Sequence, residues 1–326
     1  MRSDLRDIEV FLSNADKVLY MAEFFSECIK QIRKRLGHTD QELQDLFLDC
    51  LSEETQKCVL DNSFGIVNSD FVLRKPLNWN LTNYFELLNQ HFECSSMKEI
   101  RLFRLTKPSR SHPLQDSDLE YLAASLAPNL TIVELYIFEV SDKGIKALCE
   151  KCSQLQMLEL YGCLMLTNES FKIISTLNKL HTLIAMTVPQ LTDEGVISLE
   201  NTKLKSLMFY DDIQLTDLAL LHLPQLEVFS SDSTGFTTKG VGQFVKKTNT
   251  LTSIYLNKSN MDDQIVAEIL QSCSNIITIS LESSKLSEEC LLAVPVPQSL
   301  KRMMVASGVS IKVPPESACQ IINAKN

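Results

Sequence analysis

Few residues in this chain have the types and spacing that chemistry requires. Five histidines are present, His38, His91, His112, His181 and His222. None has a partner at metal-ligand or nucleophile–base spacing. His181 and His222 lie inside periodic segments, where packing or surface roles account for them. Cys149-Glu-Lys-Cys152 has the spacing of half a zinc site or of a redox pair. No second such pair follows it. The nine glycines include Gly235, Gly240 and Gly242, which fall in or beside a recurring turn and build no phosphate-cradling loop. No nucleophile elbow occurs. The expectation is a protein that is not an enzyme and uses no metal or cofactor.

The informative chemistry is that of a surface, and a repeat positions it. A large apolar residue followed at +3 and +5 by two more recurs along the chain. The copies are Leu130–Val133–Leu135, Leu155–Leu158–Leu160, Leu180–Leu183–Ala185 and Leu204–Leu207–Phe209, then Leu226–Phe229–Ser231, Leu251–Ile254–Leu256, Ile276–Ile279–Leu281 and Leu300–Met303–Val305. First positions are 25, 25, 24, 22, 25, 25 and 24 residues apart. Met97–Ile100–Leu102 is an earlier copy, 33 residues before Leu130.

Residues two apart point to the same side of a strand, so the +3 and +5 positions share an inward, apolar face. Each copy continues with an apolar residue and then Ser, Thr or Asp, as in Val140-Ser-Asp-Lys-Gly, Leu191-Thr-Asp-Glu-Gly and Phe236-Thr-Thr-Lys-Gly. That is a helix N-cap preceded by its hydrophobic staple. Each repeat therefore reads strand, turn, helix, and stacked copies give a parallel sheet with helices behind it. Ala185 and Ser231 occupy places where a large apolar residue belongs, which predicts thinner packing there.

Repeats of this length and frame carry the leucine-rich-repeat signature. Cys152-x-x-Leu-x-x-Leu-x-Leu-x-x-Cys163 resembles the cysteine-containing subtype of F-box/LRR proteins, and Cys273 opens a later copy in the same place. The resemblance implies an α/β horseshoe solenoid over residues 97–313, with an N-terminal helical region over 1–96 and a C-terminal tail from 314 to 326.

In such a solenoid the remaining strand positions face the concave side. One column reads Tyr136, Tyr161, Met186, Tyr210, Asp232, Asn257, Glu282. The other reads Glu134, Glu159, Ile184, Met208, Ser230, Tyr255, Ser280. Four of the seven tyrosines fall in these fourteen places. Tyrosine suits strands in any protein, but Tyr and Met are also enriched in interface cores. The expected partner site is Tyr136, Tyr161, Met186 and Tyr210, with Glu134, Glu159, Met208 and Tyr255 beside it. The carboxylates predict a protein partner offering Lys or Arg.

Residues 1–96 lack the repeat and show helical spacing. Leu43, Leu46, Phe47, Cys50 and Leu51 fall on one helix face. Tyr84, Phe85, Leu87 and Leu88 suggest another helix, preceded by Pro76 and the only tryptophan, Trp79. A cap over the first repeat is the plain structural role of such helices. Leu43-Gln-Asp-Leu-Phe-Leu-Asp-Cys-Leu-Ser followed by Lys75-Pro-Leu-Asn-Trp also resembles the head of Zyg/Zer-type receptors of cullin–elongin ubiquitin ligases. In those, a helix carrying Leu-x-x-x-Cys docks the adaptor. The resemblance assigns that role to Leu46, Phe47 and Cys50. Asp45 and Glu54 depart from the pattern, and an F-box, with a Skp–cullin adaptor, is the rival for the same segment. A stand-alone interaction scaffold is the alternative function.

The net charge of −10 disfavours a nucleic-acid binder, which carries a basic face. No apolar run reaches the roughly 18 residues of a membrane span. The first residues are broken by charges and lack the apolar core of a secretion signal. The ten cysteines are accordingly expected to be reduced thiols in a cytoplasmic or nuclear protein.

Overall fold

The computed structural model describes residues 10–13, 70–73, 99–102, 115–126, 129–136, 139–210, 215–232, 235–282 and 284–323. The chain divides into two compact units, Met1–Tyr161 and Gly162–Asn326.

Unit 1 contains strands β1 (Val10–Ser13), β2 (Asp70–Leu73), β3 (Glu99–Leu102), β4 (Ile132–Tyr136) and β5 (Met157–Tyr161), with helices α1 (Asp116–Leu126) and α2 (Asp142–Lys151). β1 pairs antiparallel with β2, and the later pairings, β2 to β3, β3 to β4 and β4 to β5, are parallel. The two described segments within residues 1–96 are thus strands, inside a region the sequence reading took as helical. Val10-Phe-Leu and Phe71-Val-Leu are short runs of large apolar residues, which periodicity cannot assign between helix and strand. The early copy Met97–Ile100–Leu102 supplies β3, whose Leu102 pairs with Leu135.

Unit 2 holds β6 (Thr182–Met186), β7 (Ser206–Tyr210), β8 (Val228–Ser231), β9 (Ser253–Tyr255), β10 (Thr278–Leu281), β11 (Arg302–Val305) and β12 (Gln320–Asn323). Between them lie α3 (Asn168–Ile174), α4 (Asp193–Ile197), α5 (Asp217–Leu221), α6 (Thr238–Lys247) and α7 (Asp263–Ser272). The seven strands pair in chain order and all in parallel. β12 lies inside the segment from 314 onward that the sequence reading set aside as a tail.

Alternation along β5, β6 and β7 is strict, with the second and fourth residue of each strand buried and the other three half-buried. The repeat frame produces this pattern, because its +3 and +5 residues share the inward face. The two small inward residues are explained by register. Ala185 pairs with Phe209, and Phe209 pairs with Ser231. All three are fully buried. Phe209 stands between the two small side chains and meets the Phe171 ring of α3 edge-on at 6.0 Å. Small residues there make room for a large neighbour, so the thin packing expected from Ala185 and Ser231 in isolation is filled from the strand between them.

Helix starts repeat one device. N-cap hydroxyls accept a backbone N–H two or three residues on, as in Ser141 from Lys143 at 3.2 Å, Thr167 from Glu169 at 3.2 Å and Thr237 from Gly240 at 3.1 Å. The first helical residue also reaches the cap of the next repeat. Asp116 accepts from Ser141 N at 2.8 Å and Ser141 Oγ at 2.6 Å, and Asp193 accepts from Thr216 at the same two distances. Asn168 serves Thr192 with its amide, and Asp263 accepts from Ser287 N at 2.8 Å. At Ser141 and Thr216 the carboxylate thereby satisfies a backbone amide at a helix start, where the dipole also favours negative charge, and at Ser287 it holds the start of a turn.

Candidate functional site

The outward face of the sheet, turned away from the helices, is set by the same register. In unit 2 one row runs across the strands as Ile184, Met208, Ser230, Tyr255, Ser280 and Met304. Ser230 is 1% exposed and Ser280 0%, although both point outward. Their large neighbours Met208, Tyr255 and Met304 remain half-exposed. The half-exposed thioether and aromatic side chains thus alternate across the strands with buried serines.

One step further along each strand the character changes across the face. It begins apolar with Met186 and Tyr210, which pair in register and are half-buried. The Tyr210 hydroxyl donates to Met208 Sδ at 3.4 Å, laying the ring along the methionine. It then becomes polar with Asp232, Asn257 and Glu282. Asp232 lies 3.6 Å from the Lys258 ammonium. Ser280 Oγ donates to Asn257 Oδ1 at 2.6 Å and lies 3.5 Å from Glu282 Oε1. Glu282 is half-exposed and has no ion-pair partner among the described residues.

In unit 1, Tyr136 pairs in register with Tyr161 and Glu134 with Glu159. The Tyr161 hydroxyl donates to Glu159 Oε2 at 2.6 Å, and both residues are half-buried. Glu134 corrects the sequence reading. It is only 5% exposed, so its carboxylate is not open to a partner as expected of a residue on this face. The side chain of Tyr136, and Leu46, Phe47 and Cys50 in the segment resembling an adaptor helix, lie outside the described residues.

The remaining reactive groups are held in structural places. All six described cysteines are buried and unbridged. Burial pushes the thiols of Cys152 and Cys163 up to about 12 and those of Cys273 and Cys290 up to about 11. Cys149 is raised further by burial and by Cys152 beside it. His222 Nδ1 lies 3.1 Å from Glu200 Oε2. An open hollow of about 510 Å³ lies between the 200–205 turn, Leu223–Gln225 and Lys247. Lys247 uses its ammonium there to close the end of α5, donating to the carbonyls of Leu221 and Leu223 at 2.6 and 3.2 Å. No described helix is long and apolar enough to cross a membrane.

No family model matches the chain, and no curated protein matches it in sequence. Among solved structures, it is similar to the yeast complex of Rad7 and Elc1, at 17% identity and a TM-score of 0.53, over 93% of this chain and 92% of that one. The chain has a leucine-rich-repeat fold. Weaker likenesses are to internalin C2 of Listeria monocytogenes (17% identity, TM-score 0.46, 69% of this chain and 92% of that one) and to a Bacteroides fragilis protein (10% identity, TM-score 0.44, 85% and 86%).

Two features of the leucine-rich-repeat sheet and helices were missed by sequence reasoning. The cross-repeat Asp and Asn contacts had a signal, an acidic or amide residue at the first helical position, but it reads first as dipole complementarity within one helix. The Ser280–Asn257–Glu282 cluster joins two strands, and only register brings it together.

Proposed function

We propose that this protein binds another protein on the outward face of its leucine-rich-repeat sheet, and that it serves as the substrate-recognition subunit of a cullin-type ubiquitin ligase. The observation that carries the binding reading is the row Ile184, Met208, Tyr255 and Met304, half-exposed on β6, β7, β9 and β11 with the buried Ser230 and Ser280 on the strands between, together with Met186 and Tyr210 on the adjacent β6 and β7. Contiguous exposed apolar and aromatic groups mark partner sites more often than isolated ones do. A binding role, with no reaction catalysed, accords with this surface and with thiols buried in the core.

The ligase role is supported by the resemblance of Leu43–Ser52 and Lys75–Leu88 to the head of Zyg/Zer-type receptors. The solved structure with the 0.53 TM-score is itself that of a complex, of Rad7 and Elc1. On this reading Leu46, Phe47 and Cys50 engage an elongin–cullin or Skp–cullin adaptor, while the sheet holds the substrate in the cytoplasm or nucleus.

Affinity purification of the full chain tests the proposal. Co-purification of adaptor and cullin, lost on Leu46→Asp or Cys50→Asp, is the expected result. Recovery of neither adaptor class would remove the ligase role and leave a stand-alone interaction scaffold.

A further inference from the structure

Along the row Met186, Tyr210, Asp232, Asn257 and Glu282 the outward face of unit 2 passes from apolar at β6 and β7 to polar at the ends of β8, β9 and β10, and this division constrains what can lie across it. We infer that β6–β10 take an extended peptide segment with a large apolar side chain on Met208 and Tyr210 and, about four residues away, a Lys or Arg at Glu282. The inference rests on the reading that this face binds protein and names the chemistry of the partner.

Charge is the first argument. Asp232 is already neutralised by Lys258 at 3.6 Å, whereas Glu282 forms no ion pair among the described residues. Among the described residues its hydrogen-bond contact is the distant Ser280 hydroxyl at 3.5 Å. A half-exposed carboxylate left in this way at the polar end of an otherwise apolar face is complementary to a cation. Arg302, on the next strand, points its guanidinium at Thr278 Oγ1, 3.3 Å away, and does not fill that role.

Hydrogen bonding is the second. Asn257 accepts the Ser280 hydroxyl at 2.6 Å through its Oδ1. Its amide N–H groups are left to donate to a peptide carbonyl. This donor stands between the apolar surface and Glu282, where the backbone of a bound segment would pass.

Distance is the third. Tyr210 ends β7 and Glu282 follows β10, three strand steps away. At about 4.8 Å per step the span is roughly 14 Å, the length of about four extended residues. An apolar residue and a cation at positions i and i+4 of an extended segment therefore reach both ends together.

Random peptides displayed on phage and selected against the full chain, and against its Glu282→Lys variant, test this. The expected result is enrichment of an apolar residue followed about four positions later by Lys or Arg. Synthetic peptides of that sequence should bind at least about tenfold more weakly to Met208→Ser and to Glu282→Lys. Selection on Glu282→Lys should replace the cation by Asp or Glu. If the selected peptides lose binding on Tyr210→Ala yet show no cation preference and ignore Glu282→Lys, the inference is overturned while the face remains a protein-binding one. If no peptide is enriched, or those enriched bind Tyr210→Ala and Met208→Ser as they bind the wild type, both are overturned.

Discussion

Asp217 reaches across a whole repeat to Thr237, accepting its backbone N–H at 2.8 Å and its hydroxyl at 2.6 Å. The approach is so close that a Cβ on Gly240 would lie 1.9 Å from the Asp217 carboxyl carbon. The glycine is therefore needed for space, and the same holds for Gly144 against Asp116 and Gly195 against Asn168, each at 2.6 Å. Removing the acceptor by Asp217→Ala leaves a helix start short of a partner and should cost about 1–2 kcal/mol. Gly240→Ala should cost at least as much. In the Asp217→Ala background the same Gly240→Ala change should cost far less, because the overlapping carboxylate is gone. Urea denaturation of the four proteins checks this, and additive losses would show that the contact does not set the glycine.

Phe209 fills the space that Ala185 and Ser231 leave. Phe209→Ala should destabilise by about 3–5 kcal/mol. The repeat frame would recommend a large apolar residue at 231, but Ser231→Leu should destabilise by about 1–3 kcal/mol through overpacking against the ring. A rise in thermal midpoint for Ser231→Leu would contradict the packing described.

The buried cysteines make stability depend on alkaline pH. A thiol whose pKa is raised on folding favours the folded state while it stays protonated. That contribution is complete below the unfolded value, near 8.5, and is lost as pH rises toward the folded values of about 11 to 12. The urea midpoint should thus fall above about pH 9, and substituting Cys152 and Cys163 by Ala should flatten the fall. At pH 8 these thiols should react with a disulfide reagent only as fast as the protein opens.

How much of this could be read from the sequence follows from the range of each cause. The repeat, its strands and its helix caps are local patterns, and residues such as Leu158, Leu160 and Thr167 stand where the frame puts them. The outward placement of Tyr161, Met186, Met208, Tyr210 and Tyr255 follows from the same period of two. The burial of Glu134, the hydrogen bond of Ser280 to Asn257, and the fit of Phe209 between two small residues depend on neighbouring strands. No window of one repeat contains them. The strands at Val10–Ser13 and Asp70–Leu73 were hidden because a short apolar run carries no period of its own.

The central claim is that the outward sheet face holds a protein partner. Its most direct test is the affinity of a partner recovered with the full chain, measured for wild type, Tyr210→Ala and Tyr255→Ala. Loss of a hot-spot aromatic typically costs about 2 kcal/mol or more, so each variant should bind at least about tenfold more weakly. Their thermal midpoints should stay close to wild type, because both side chains are half-exposed. Binding by both variants as tight as that of the wild type would contradict the claim and direct the search to the helices behind the sheet.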